Sequence, residues 1–197
     1  AKQADVVILS IGERLDMSGE AKSRSDLHLP GVQEDLVKAI QATGKPVVVL
    51  VNAGRPLIFN WTADNVPAIV YTWWLGTEAG NAIANVLFGD YNPAGRLTQT
   101  WVKDITDLPD LLDYNIRNGR TYMYFKGKPL YAFGHGLSYT TFKYNSIETS
   151  SETISKNAEI KITVSVTNTG SRDGDEVIQL YVKQLQSKVE RPEKELK

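Results

Sequence analysis

The sequence predicts an α/β fold: an open, mostly parallel sheet flanked by helices, followed by an incomplete β-sandwich. Three observations carry this expectation. In the first half of the chain, short apolar runs rich in β-branched residues alternate with stretches of helical periodicity, the pattern of parallel strands joined by crossover helices. Periodicity then fails across an aromatic- and glycine-rich stretch from Lys103 to about Thr140. From about Phe142 the grammar changes to hydrophobic residues at every second position, as in half-buried antiparallel strands.

The elements follow in order. Val6 to Ile11 is a continuous apolar run that reads as a strand buried on both faces. Val32, Leu36, Val37 and Ile40 share one face of a helix that Gly44 stops. Pro46 to Val51 is a second buried strand, so that strand, helix and strand imply a right-handed parallel crossover. Ala68 to Trp74 reads as a third strand, and Ala79, Ile83, Val86 and Leu87 as the apolar face of a second long helix closed by Gly89. Leu97 to Val102 can add one short strand. Further on, Ile160, Ile162, Val164 and Val166 alternate with polar residues, Asn168 to Gly174 makes a turn, and Val177 to Val182 is the next strand. Two or three strands do not close a sandwich core, so the sandwich reads as unfinished. The chain begins without Met and stops inside a charged run, and is expected to be a piece of a longer protein.

Composition removes several function classes. A net charge of -1 gives no field that favours nucleic acid or an anionic membrane. No apolar run approaches the roughly 20 residues that span a bilayer. The absence of cysteine rules out disulfides and thiolate metal sites, and His28 and His135 alone make a histidine-rich metal site unexpected. Neither a G-x-G-x-x-G turn nor a P-loop follows the first strand, where carboxylates would repel a pyrophosphate.

What does follow it is a polar loop, residues 11 to 30, whose first ten residues carry three acids, Glu13, Asp16 and Glu20. It leaves a parallel sheet at the carboxyl edge, where ligands of such sheets gather. Glu13 directly succeeds the strand, and Glu20 sits among small residues that let another surface approach. An acid on a loop is more often solvated and inert than catalytic. Trp73 and Trp74 and the tyrosines between Tyr114 and Tyr139 could stack on sugar rings, but packing is the more common use of aromatics at a strand end.

The motifs Ser18-Gly19-Glu20-Ala21-Lys22-Ser23-Arg24 leading to Leu29-Pro30, Asn52-Ala53-Gly54-Arg55-Pro56-Leu57, Trp74 to Ala84, Val86 to Leu97 and Phe133 to Thr140 occur in this order. Together they resemble the C-terminal part of a family 3 glycoside hydrolase, the β-glucosidase and β-xylosidase family. Residues 143–197 resemble the start of the fibronectin type III-like domain that follows in many members. The resemblance implies two domains here, an α/β sandwich over 1–141 and a truncated fibronectin type III-like domain over 142–197.

It also implies a division of labour. An N-terminal (β/α)8 barrel would carry an aspartate nucleophile, and the α/β sandwich would supply the general acid/base on a loop over the barrel mouth. That loop corresponds to residues 12–30, with the acid/base on Glu20 and Glu13 as runner-up. Met17 and Ser18 would line the aglycone side, and Arg24 would orient the loop or neutralise Glu20. The implied substrate is an oligosaccharide or β-glycoside, glucose ahead of xylose, with no cofactor or metal, in a periplasmic or secreted protein. Without the barrel and its nucleophile the chain alone is expected to be inactive. The rival reading is a module that holds carbohydrate without catalysing.

Overall fold

The computed structural model describes residues 1–155 and 157–197. By its internal contacts the chain divides into two units, residues 1–83, 97–135 and 179–197, and residues 84–96 and 136–178.

The first unit is built on a three-stranded parallel sheet of β1 (Val7–Gly12), β2 (Val47–Asn52) and β3 (Ala68–Tyr71), in the order β1-β2-β3. Val7 pairs with Val47 and Gly12 with Asn52, and Val48 to Val51 pair with Ala68 to Tyr71. β2 is central, and its run of β-branched residues is the buried one: Val47, Val49, Leu50 and Val51 are all buried. β1 departs from the expected two-sided burial, with Ile8 52% exposed, because it is an edge strand with one face uncovered.

Helix α1 (Gln33–Gln41) connects β1 to β2. It buries Val37 and ends where the Thr43 hydroxyl donates to the Ile40 carbonyl and Gly44 takes a φ of +73°, a conformation that closes helices at little cost to glycine. Gln33, its first residue, uses its side-chain amide on the edge of β1, accepting from Gly12 N–H at 2.7 Å and donating to Gly12 C=O at 2.9 Å. One amide thereby satisfies both backbone groups that the missing neighbour strand leaves open. The short α2 (Asn60–Asn65) was not legible as a helix. Its buried Thr62 donates from both hydroxyl and N–H to Glu34 on α1.

The core joins Ile11, Val37, Val47, Val49 and Val51 to an aromatic cluster around Trp101, which is 1% exposed. Tyr71, Trp73, Tyr131 and Phe59 meet Trp101 edge-on, with the Tyr71 ring 4.5 Å away. This cluster changes two expected strands. The third ends at Tyr71 instead of Trp74, because Trp73 turns to a φ of +53° and inserts its ring beside Tyr71 and Trp101, leaving Trp74 44% exposed. Leu97 to Val102 forms no strand, only a bridge at Trp101–Tyr131 with hydrogen bonds from Leu97 N–H to His135 and from Gly134 N–H to Leu97. Within the irregular stretch, α4 (Thr121–Tyr124) buries Tyr124 and stacks Tyr122 on Phe133 at 4.4 Å. The expected strand 177–182 is reduced to β6 (Tyr181–Val182), paired antiparallel with β7 (Glu195–Leu196) in this same unit.

Helix α3 (Ala79–Phe88) runs from the first unit into the second. The second unit holds an antiparallel ribbon, β4 (Phe142–Thr149) with β5 (Ile162–Asn168), interrupted by a bulge between Tyr144 and Ser146. Asn92 ties its loops, donating to Asp173 C=O at 2.9 Å and accepting from Tyr139 N–H and the Ser138 hydroxyl. Arg96 pairs with Glu176 at 2.8 Å, both side chains mostly buried. Tyr144 and Ile147 remain 50% and 64% exposed, so the ribbon has an apolar side with no second sheet against it among the described residues.

Candidate active site

Parallel pairing brings the carboxyl ends of β1, β2 and β3 to one edge of the sheet, where three loops begin. Glu13 joins the first two. It follows Gly12, and its N–H donates to the Asn52 carbonyl at 2.8 Å, extending the β1–β2 register by one residue. Its side chain is fully buried. Arg24 Nη1 donates to Oε1 at 2.8 Å, and Gly54 N–H donates to Oε2 at 3.3 Å. Arg55 Nε lies 3.0 Å from Oε1 without its N–H being directed at it, which makes that contact ionic and not a hydrogen bond.

The two guanidinium groups then brace the loop. Arg55 Nη2 donates to the carbonyls of Met17 and Lys22, each at 2.7 Å, and so gathers the two ends of the turn 17–22. Arg24 Nη2 donates to the His28 carbonyl at 3.1 Å on the return limb. That limb is laid along the chain after β2 by Ile58 N–H donating to Leu27 at 2.8 Å. Asp26 accepts from His28 N–H, a bond that, with the His28 ring, holds its carboxyl below the ordinary range. Gly54 is needed where it stands: a Cβ there would lie 1.9 Å from Ser18 Oγ and 2.8 Å from Trp74 Nε1.

Glu20 stands at the tip of the braced turn. Gly19 has a φ of +136° and accepts from Lys22 N–H at 3.2 Å, while Ala21 adopts a φ of +57°, a conformation that costs a residue with a Cβ roughly 1–2 kcal/mol. Glu20 is exposed and makes no hydrogen bond or ion pair with the described residues. Asp16, by contrast, is engaged by Arg14 at 2.8 Å in an exposed pair that lowers its pKa chiefly through the hydrogen bond. Met17 and Ser18 are half-buried at the foot of the turn. Arg24 is engaged by Glu13 and His28, not by Glu20. His135 stacks on Tyr131.

The role of Arg55 was missed from sequence, as were those of Gly54 and Tyr71. A signal existed: residues that directly follow adjacent parallel strands emerge about 4.8 Å apart, so Glu13 and the Gly54-Arg55 pair had to meet. Tyr71 supports the same junction from β3, its hydroxyl donating to the Arg55 carbonyl. Burial first, and then the Glu13 charge, push the Tyr71 phenol well above its ordinary value, so it stays a donor through the neutral range. Tyr71→Phe is expected to cost about 1 kcal/mol at neutral pH in urea unfolding. A phenol with a raised folded-state pKa contributes stability that is complete below the unfolded value of 10.0 and lost as pH rises above it. The variant should therefore lose less stability than the parent between pH 10 and higher alkalinity.

Among the described residues no group of three or more His, Asp or Glu is placed to hold a metal ion. No helix among the described residues is long and apolar enough to cross a membrane.

Fold and loop together define an α/β domain that presents a carboxyl group at the carboxyl edge of a parallel sheet. The chain belongs to glycoside hydrolase family 3: residues 1–139 match the glycosyl hydrolase family 3 C-terminal domain. It is 45% identical over 202 residues to a β-xylosidase of Formosa agariphila, covering 100% of this chain and 28% of that protein. It is 43% identical over 209 residues to a periplasmic β-glucosidase of Salmonella typhimurium, covering 100% of this chain and 27% of that protein. The solved structure of a β-glucosidase from Erythrobacter marinus superposes with a TM-score of 0.88 at 38% identity, over 100% of this chain and 27% of that one. The chain thus spans a little over a quarter of the length of these relatives.

Proposed function

We propose that this chain supplies the general acid/base of a retaining, exo-acting β-glycosidase that removes terminal non-reducing β-D-glucosyl residues, with Glu20 as that group. The observation that carries the reading is the contrast among Glu13, Asp16 and Glu20. Glu13 is buried with both oxygens engaged and cannot reach a leaving group, and Asp16 is tied to Arg14. Glu20 alone of the three is exposed and uncommitted, on a turn that carries backbone strain at Ala21, as functional loops often do.

In a retaining mechanism one carboxylate attacks the anomeric carbon while a second carboxyl group, about 5–5.5 Å away, protonates the leaving oxygen and then deprotonates the attacking water. Glu20 takes the second role, beside Met17, Ser18 and the braced Arg24. The nucleophilic aspartate belongs to a (β/α)8 barrel that partners this domain within the same protein. We assign residues 1–141 to the α/β sandwich and 142–197 to the beginning of a fibronectin type III-like domain, a reading supported by the β4–β5 ribbon with its uncovered apolar side, while the tail 179–197 groups by its contacts with the first unit. The name of the Salmonella relative supports a periplasmic or secreted location.

The test is hydrolysis of p-nitrophenyl β-glucoside by the barrel-containing protein, followed by NMR of the first-formed sugar. The β-anomer as first product and no turnover by the 197-residue chain alone are expected. An α-anomer, or substantial hydrolysis by the chain alone, overturns the reading. The similarity to a β-xylosidase supports a second substrate, and a higher kcat/KM on p-nitrophenyl β-xyloside would assign it. Binding of sugar without turnover by the whole protein would leave a carbohydrate-holding module.

A further inference from the structure

We propose that Glu13 is a positioning residue for the acid/base, acting through Arg55 and Arg24 to set where Glu20 stands; the inference rests on the reading of Glu20 given above. A buried carboxylate that only stabilised the fold would need partners for its own charge and nothing more. Here each partner carries a second commitment. Arg55 spends its remaining reach on Met17 C=O and Lys22 C=O, the residues three before and two after Glu20. Arg24, four residues after Glu20, is held between Glu13 and the His28 carbonyl.

The chain of contacts is short and rigid. Glu13 is anchored through its own backbone to Asn52 and through Oε2 to Gly54 N–H, so its position is set by the sheet. A planar guanidinium with a carboxylate on one side and two carbonyls on the other has a fixed orientation, which a point-like ammonium would not have. The turn is therefore referenced to the carboxyl edge of β1 and β2, although Glu20 itself makes no hydrogen bond or ion pair with the described residues. Ser18 Oγ and Trp74 Nε1, which occupy the space a Cβ on Gly54 would need, leave the foot of the turn little room to settle elsewhere.

An acid held in the wrong place fails in a recognisable way. Protonation matters when the departing oxygen is basic and hardly matters when it is a stabilised phenolate. A misplacement of about 1 Å can cost on the order of 100-fold where the positioned group is needed. In the barrel-containing protein, Glu13→Gln is expected to lower kcat/KM for phenyl β-glucoside by about 10- to 100-fold and for 2,4-dinitrophenyl β-glucoside by less than about 3-fold. Arg55→Lys keeps the charge but lacks the planar fork that holds both carbonyls in one orientation beside Glu13, and the same selective loss is expected at smaller size. Active-site titration corrects both values for folded enzyme, and if Glu13→Gln does not fold, Arg55→Lys decides.

Equal losses on both substrates, or no loss on either, overturn the positioning role. Glu20→Gln measured in parallel separates the two claims. Selective loss in Glu20→Gln without it in the Glu13 and Arg55 variants sinks this inference alone. Its absence in Glu20→Gln removes the acid/base reading on which the inference stands.

Discussion

Glu20→Gln in the barrel-containing protein is expected to slow hydrolysis of an alkyl or phenyl β-glucoside by about 10²–10⁴-fold, the usual worth of a positioned acid/base. The amide is nearly isosteric, and Glu20 has no hydrogen bond or ion pair with the described residues to lose, so stability should change by less than about 0.5 kcal/mol. The loss should also depend on the substrate. With a 2,4-dinitrophenyl leaving group no proton is needed for departure, so the glycosyl-enzyme forms at close to the normal rate and then accumulates, because its hydrolysis still needs a base. Azide needs no base, since the anion itself attacks the anomeric carbon and the nucleophilic carboxylate departs. Added azide should therefore restore turnover in the variant and yield a β-glucosyl azide, with no acceleration of the unsubstituted protein. A variant that loses all substrates equally, or that azide does not rescue, would move the acid/base to another residue, and Glu13→Gln under the same conditions would show whether it moved there.

How far the sequence reveals this site depends on which interactions are local. β1 and β2 were legible to within a residue because a buried parallel strand is a contiguous apolar run, and α1 because Val37 and Ile40 fall on one helical face before Gly44. The chain after β3 was legible only in part. Trp73 has high β-propensity, yet its ring is drawn into the cluster around Trp101, and a long-range aromatic contact outweighs the local tendency to stay extended. Leu97 to Val102 looks like a strand for the same compositional reason, but among the described residues its backbone meets 130–135 only at Leu97 and Trp101, too few points for a ladder. At the site, an exposed acid among small residues can be read from one segment, whereas the function of Glu13 cannot. Its ion-pair partners lie 11 and 42 residues away, and the parallel register of β1 on β2 is what brings the second of them, Arg55, within 3.0 Å.

That register has a weak point at Gly12, and Gly12→Ala is the substitution expected to damage the chain most. Gly12 has a φ of +130°, and a Cβ there would lie 1.9 Å from the Asn52 carbonyl oxygen and 2.7 Å from its carbon. These are backbone atoms of the central strand, which cannot swing aside as a side chain could. The strained backbone and the overpacking together are expected to cost about 2–5 kcal/mol. The displacement has a second consequence, because the Asn52 oxygen is also the acceptor for Glu13 N–H, and Gly12 is held on its other side by both ends of the Gln33 amide. To admit the methyl group, β1 must part from β2 at the point where Glu13 is anchored, or Gln33 must let go and expose the edge. Gly80→Ala is the control: it lies in α3, where a Cβ meets nothing within 4 Å, and should stabilise by about 0.4–1 kcal/mol through helix propensity and a less flexible unfolded chain. Urea midpoints moving in opposite directions for the same chemical change would identify the β1–β2 junction, and not glycine content as such, as what the loop is built on; a neutral Gly12→Ala would mean that Glu13 does not owe its place to that contact.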